Sequence, residues 1–180
     1  YYVAAYSIDG SNSYSDVSSS TSGTTDTFAI QTTGFGDGTT FSVASNKDWS
    51  TSASTANAGN FGGDAPAEDW LISSVLDLDA SVDETYEFTY RGQYSDTITG
   101  LEVFYTTSYT GDPSTTTWTP FTALNTELDD YVASGSSSSV ATSVDLSDIA
   151  GTTVNLAFKY TSSGTGGGET RNWYLSDALF

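Results

Sequence analysis

Glu68-Asp69-Trp70-Leu71-Ile72-Ser73-Ser74-Val75-Leu76-Asp77-Leu78 is the densest apolar run in the first half of the chain. Gly62-Gly63-Asp64-Ala65-Pro66 before it and Asp79-Ala80-Ser81-Val82-Asp83 after it are loop-like. A short apolar run between turn signals reads as a buried strand. Trp70, Leu71, Ile72, Val75, Leu76 and Leu78 are therefore expected in the core. The acids at its mouth leave three roles open for the stretch: a catalytic edge, a metal-supported strand, or a core strand with polar neighbours.

Working outward, strand signals recur. Tyr86, Phe88 and Tyr90 alternate with Glu87, Thr89 and Arg91, and Leu101, Val103 and Tyr105 with Glu102 and Phe104. Val154, Leu156, Phe158 and Tyr160 form the cleanest alternation. Thr27–Ile30 and Thr40–Ala44 are shorter period-2 segments, and a last strand runs from about Arg171 to Phe180. Ser50–Asn60 is small and polar, and Phe61 is expected to anchor the loop after it. Leu124–Tyr131 reads as a short helix or an irregular crossing, and no helix of ten residues or more is expected. Short strands with turns this frequent predict an all-β fold, a jelly-roll β-sandwich of two antiparallel sheets. Residues 26–180 are assigned to it. Residues 1–25 carry a flanking strand and a Ser/Thr-rich linker, or the end of a preceding module.

Composition narrows the chemistry. The 180 residues hold 23 acids against 4 bases, a formal charge of −19. Such a surface repels nucleic acid and anionic membranes and attracts cations. There is no Cys and no His. This removes disulfides, thiolate catalysis, the commonest general base and the commonest zinc ligand. Ser and Thr are abundant, but no G-x-S-x-G is present and no His can activate a hydroxyl. The glycines at 164, 166, 167 and 168 lack the Lys-Ser/Thr and helix of a phosphate loop. Paired carboxylates can hydrolyse glycosides without His, yet none of Glu68, Asp69, Glu84, Glu87, Glu102 and Asp177 stands out as half of a dyad.

Calcium is the stronger site hypothesis, because loops supply its hard oxygen ligands at irregular spacing. Asp64, Glu68 and Asp69 at the start of the central strand are the candidate ligands, with Asp177 from the last strand. Asp177 falls on the alternation face of Trp173, Leu175 and Leu179. A carboxylate there must be paired or metal-bound, or the strand must open to solvent. For ligand binding, sugar rings stack on exposed aromatic faces. Tyr94, Tyr109 and Trp118 lie near loops, although each reads equally well as a core or loop anchor. Arg91 and Arg171 are scarce cations suited to an acidic sugar or to offsetting local negative charge.

Four segments in order carry a family resemblance. Glu68-Asp69-Trp70-Leu71-Ile72-Ser73 with Leu76-Asp77-Leu78 resembles the "EDWLISP-x-(I/L)-D-L" segment of the cleaved-adhesin and choice-of-anchor J domains, which are related to the MAM-like jelly rolls of bacterial secreted and surface proteins. Leu101–Pro113 with Thr117-Trp118-Thr119 resembles "L-x-V-x-Y-S-T-x-Y-x-G-D … W". Val144–Tyr160 resembles "D-L-S-x-x-x-G-x-x-V-x-I-A-F-x-Y", and Trp173–Asp177 resembles the closing "W-x-I-D-D". The likeness covers roughly residues 26–180. It implies a calcium-braced jelly roll with Asp177 as a ligand. The preceding Asp of the closing motif is Ser176 here, and the usual Pro is Ser74. It also implies a non-catalytic module beside other domains of a larger extracellular or cell-surface polypeptide. The expected role is adhesion or binding of a glycan or another surface ligand. A calcium-stabilised spacer and a carboxylate-based glycan-degrading fragment are the alternatives. Neither nucleic acid nor membrane insertion is expected.

Overall fold

A computed structural model describes residues 34–79 and 84–180. The expected strand at Thr27–Ile30 and the flanking segment 1–25 lie outside the described residues. A 3-10 turn over Phe35–Asp37 leads into β1 (Thr39–Ser42), β2 (Ser50–Thr51), β3 (Thr55–Ala58), β4 (Glu68–Ile72) and β5 (Leu76–Asp77). Then follow β6 (Thr85–Gln93), β7 (Leu101–Thr106), β8 (Thr119–Pro120), α1 (Thr122–Ala133), β9 (Val140–Asp145), β10 (Thr153–Thr161) and β11 (Asn172–Leu179). One sheet orders β1-β4-β10-β7-β8, with β5 also on β10, and the other orders β2-β3-β11-β6-β9. All pairings among the described strands are antiparallel. From β6 onward the long strands alternate between the sheets, giving the jelly-roll sandwich expected from the sequence.

Side-chain alternation sets the layers. Leu71, Phe158, Val103, Leu101 and Tyr160 face inward from the first sheet. Tyr86, Phe88, Tyr90, Trp173 and Leu175 meet them from the second, in one buried cluster. Phe88 and Phe158 meet edge to face with ring centroids 5.3 Å apart, a favoured aromatic geometry. β4 is buried on both faces because the outer face of its sheet is also covered. Trp70, Ile72 and Ala157 form a second apolar cluster there with Phe41, Phe104, Tyr109 and Trp118.

Three expectations are corrected, at Val75, in the length of the helix and at Phe61, and the unassigned stretch Ser50–Asn60 takes a structure. Val75 is exposed, because β4 has ended and the chain crosses Ser73–Val75 before β5. Ser50–Asn60 forms a β2–β3 hairpin whose Ala56 and Ala58 are small enough to fit beneath Leu175 and Trp173 in the core. Leu124, Leu128 and Tyr131 line the buried side of a 12-residue helix. Asn125 of that helix accepts from Val103 N at 2.7 Å and donates to Val103 O at 3.2 Å, satisfying backbone groups where the short β8 leaves β7 uncovered. Phe61 does not anchor its loop inward but stands out in solvent.

Candidate functional site

The strand ends at one pole of the sandwich carry the loops 43–49, 59–67, 94–100 and 162–171. Two buried polar side chains hold three of these loops together. Asn60 Nδ2 lies 2.8 Å from Ala65 O, 2.9 Å from Ser162 Oγ and 3.0 Å from Gly164 O. Its Oδ1 accepts from Ser45 Oγ at 2.7 Å. Ser162 Oγ in turn accepts from Ala67 N at 2.9 Å. The fourth loop is tied in by Asp96, which accepts from the backbone and hydroxyl of Ser163, and by Trp173 Nε1 donating to Thr99 O at 3.0 Å.

This framework shapes a cleft of about 410 Å³ lined by Phe61, Tyr94, Ser95, Gly167, Gly168, Thr170 and Asn172. Phe61 is 69% exposed and Tyr94 73%, the two most exposed large hydrophobics among the described residues. Tyr94 directly follows β6 and has φ 66°. A bulky residue in this left-handed region is strained, and such strain persists where the surroundings impose it. Asn172 approaches closely because Gly59 has no side chain: a Cβ there would sit 2.2 Å from Asn172 Oδ1. Among the described residues the lining holds no carboxylate. Two exposed aromatic rings beside amide and hydroxyl groups put stacking area and hydrogen-bonding groups on one surface.

The register continues this surface down the outer face of the second sheet. Trp173 and Gly92 point inward, so their neighbours Asn172 and Gln93, then Tyr174 and Arg91, point outward. Asn57 flanks Tyr174 from β3. The Arg91 guanidinium carbon lies 4.7 Å from the centroid of the Tyr174 ring.

The expected ligand-binding residues separate. Tyr94 is in the cleft. Tyr109 and Trp118 come together, but on the outer face of the other sheet. There Trp118 stacks on Trp70 at 5.6 Å and donates Nε1 to Pro113 O at 3.0 Å, and Tyr109 packs on Trp118 at 5.9 Å. Arg171 follows the cleft residue Thr170 but lies on the inward face beside Gly92 and Tyr131, only 6% exposed. Phe61, Asn60 and Asn172 were missed. Phe61 was legible as an aromatic directly ahead of Gly62-Gly63, whereas the two asparagines gain their roles only from long-range packing.

The expected calcium ligands also separate. Asp64 Oδ1 accepts from Asn46 N at 2.9 Å, joining two loops. Glu68 pairs with Lys159 at 3.5 Å on the outer face. Asp69 points inward, 1% exposed, and its Oδ1 has no hydrogen-bond partner. Burial raises its pKa to about 6. A hydrogen bond from Ser42 opposes this, and the charges of Asp48 and Glu68 add to it. Asp177 does not join them. It lies five residues into β11, roughly 16 Å along the strand from this pole, in the opposite sheet. The strand bulges after Ser176, Asp177 takes φ 57°, and its carboxylate is exposed. The bulge breaks the alternation that placed it with Trp173 and Leu175. No group of three or more acidic side chains among the described residues is arranged to hold a metal ion.

No protein-family model matches the chain, and no curated protein matches it. Among solved structures it is similar to one reported for the structural basis of promiscuous specificity in carbohydrate-binding modules of the β-sandwich superfamily. That likeness has a TM-score of 0.41 and 10% identity, and covers 83% of this chain and 59% of the other. The chain thus spans less than two thirds of that structure's length.

Proposed function

We propose that the protein is a non-catalytic binding module whose ligand is carbohydrate, held in the cleft between Phe61 and Tyr94. The observation that carries this reading is that these two solvent-exposed rings line one cleft together with Thr170 and Asn172. Solvent-exposed aromatics cost a fold something, and a strained one costs more. A chain without His or Cys, and a cleft whose described lining holds no carboxylate, support binding rather than hydrolysis or lyase chemistry. An extracellular or cell-surface setting, beside other domains and in the choice-of-anchor J manner, belongs to the same proposal. Calorimetric titration with neutral and uronic hexasaccharides tests it. Changing Phe61 and Tyr94 together to Ala is expected to weaken binding at least about tenfold, equivalent to about 1.4 kcal/mol. Undiminished affinity in that variant, with its melting temperature intact, sinks the reading.

The unpartnered buried Oδ1 of Asp69 favours a second role, a calcium brace. Asp69 and Asp48 would hold the ion with the hydroxyl of Ser42, and the carbonyls of Ser45 and Lys47 gather at that same hydroxyl. A hard cation suits this all-oxygen set. Bound only to the folded chain, it would stabilise by about 2.7 kcal/mol at a hundredfold excess over its Kd. Millimolar calcium is expected to raise the melting temperature of the parent protein and not that of Asp69→Asn. Equal responses to calcium and chelator in both proteins would remove the brace.

A further inference from the structure

Of the four basic residues in the chain, Arg91 is the one set on the open surface that leads out of the cleft. It lies near the Tyr174 ring at 4.7 Å. The only ion pair among the described residues joins Lys159 to Glu68, so Arg91 has no carboxylate partner there. A guanidinium lying over an aromatic ring keeps its N–H donors in the plane of the group, pointing past the ring edge. The tyrosine thus restrains the side chain while those donors stay available. Such a fork matches a carboxylate in bidentate geometry.

The surroundings of Arg91 differ from the rest of the surface. The chain has 23 acids, yet the outward residues around it, Asn57, Thr89, Gln93, Asn172, Tyr174 and Ser176, include none. The described residues of the cleft lining include none either. The first outward acid along β6 is Glu87, about 13 Å from Arg91 by strand rise. Beyond the Debye length of about 8 Å at physiological salt, exposed charges are largely screened. At the Arg91 position the guanidinium is therefore the nearest charge along the strand, while Asp96 and Glu169 lie in the loops beside the cleft and Asp177 lies beyond Thr89. From Tyr94 back to Arg91 the strand advances about 10 Å, a distance a disaccharide spans.

We infer that the ligand is an acidic glycan chain, with one sugar ring held between Phe61 and Tyr94 and the carboxylate of a neighbouring uronic acid taken by Arg91 over Tyr174. Asn172 and Gln93 supply hydrogen bonds between the two positions. The inference rests on the carbohydrate reading of the cleft and adds the class of sugar and the direction in which the chain leaves.

Titration of the protein with hexamers of galacturonate and mannuronate, and with neutral hexamers of galactose and mannose, decides it. The uronic hexamers, at least one of the two, are expected to bind ten times or more tighter than their neutral counterparts. Arg91→Gln should abolish that preference while leaving neutral binding unchanged, and Arg91→Lys should restore part of it. Circular dichroism and melting confirm that each variant is folded. Equal affinity for acidic and neutral hexamers, or an Arg91→Gln variant that keeps the preference, overturns the acidic class and leaves the cleft reading standing. If no hexamer of either kind binds, the cleft reading falls and this inference falls with it.

Discussion

Asp69 concentrates the electrostatics of the interior in one side chain. It pairs in register with Tyr160 on one side and Ser42 on the other, and Asp48 and Glu68 add negative charge. Burial is the first cause of a pKa of about 6. In metal-free buffer the folded protein therefore keeps a proton on Asp69 that the unfolded chain releases near pH 4. Where the folded state binds more protons, stability falls as pH rises. The contribution of Asp69 is therefore fully present below about pH 4 and lost by about pH 6 and above. Asp69→Asn removes the ionisation. With chelator present, the variant is expected to equal the parent near pH 4 and to exceed it by up to about 3 kcal/mol near neutrality. Urea unfolding at both pH values checks this. Parallel stability profiles for the two proteins would show that Asp69 ionises normally in the fold.

At the scale of elements, the loop from β7 to β8 shows how function and anchoring are told apart. Trp118 closes that loop by stacking on Trp70, with Lys159 5.3 Å from the Trp70 centroid and Phe104 beside it. Its stacking on Trp70, its contact with Tyr109 and its N–H tie it to the protein. Trp118→Ala is expected to cost about 2 kcal/mol, in the range for losing a largely buried hydrophobic side chain, and to leave glycan affinity unchanged. A loss of affinity without loss of stability would move the binding surface to this sheet. The sequence left both roles open for Trp118, because an aromatic after a turn looks the same either way. The strands were legible because β6, β7 and β10 alternate over long spans. The helix α1 was only half legible. Its Leu124, Leu128 and Tyr131 have helical spacing, but Phe121 at its N-cap supplies no side-chain cap and Asp129 and Asp130 oppose the dipole in its C-terminal half. Packing onto β7 and the bonds from Asn125 supply what its own sequence lacks. The cleft was least legible. Only Tyr94 was singled out, since its shape depends on the Asn60 and Ser162 bonds that join segments about a hundred residues apart. Asp177 was misplaced because a bulge shifts the alternation by a residue and leaves no mark in a pattern of period two.

For the whole molecule, the charge of −19 is a destabilising term, since compaction brings the acids together. Favourable charge pairs do little to offset it: Lys159–Glu68 is the only ion pair among the described residues, and it is partly exposed. An exposed pair of this kind contributes about 0–1 kcal/mol. Screening therefore removes much repulsion and little attraction. Raising sodium chloride from about 0.01 M to about 0.15 M shortens the Debye length from about 30 Å to about 8 Å. The melting temperature is expected to rise by several degrees across that range in calcium-free buffer and to level off above it. A protein held together by ion-pair networks would respond in the opposite sense, so a falling melting temperature would refute this account. The same screening would act on capture of the proposed acidic glycan. A uronic hexamer approaching from solution meets the field of the whole molecule before it meets Arg91. Added salt should therefore speed its association while weakening the final contact, and a neutral hexamer should show neither change. Stopped-flow association rates measured across the same salt series separate the two effects. An association rate for the uronic hexamer that falls with salt would mean that the strip around Arg91, and not the net charge, governs the encounter.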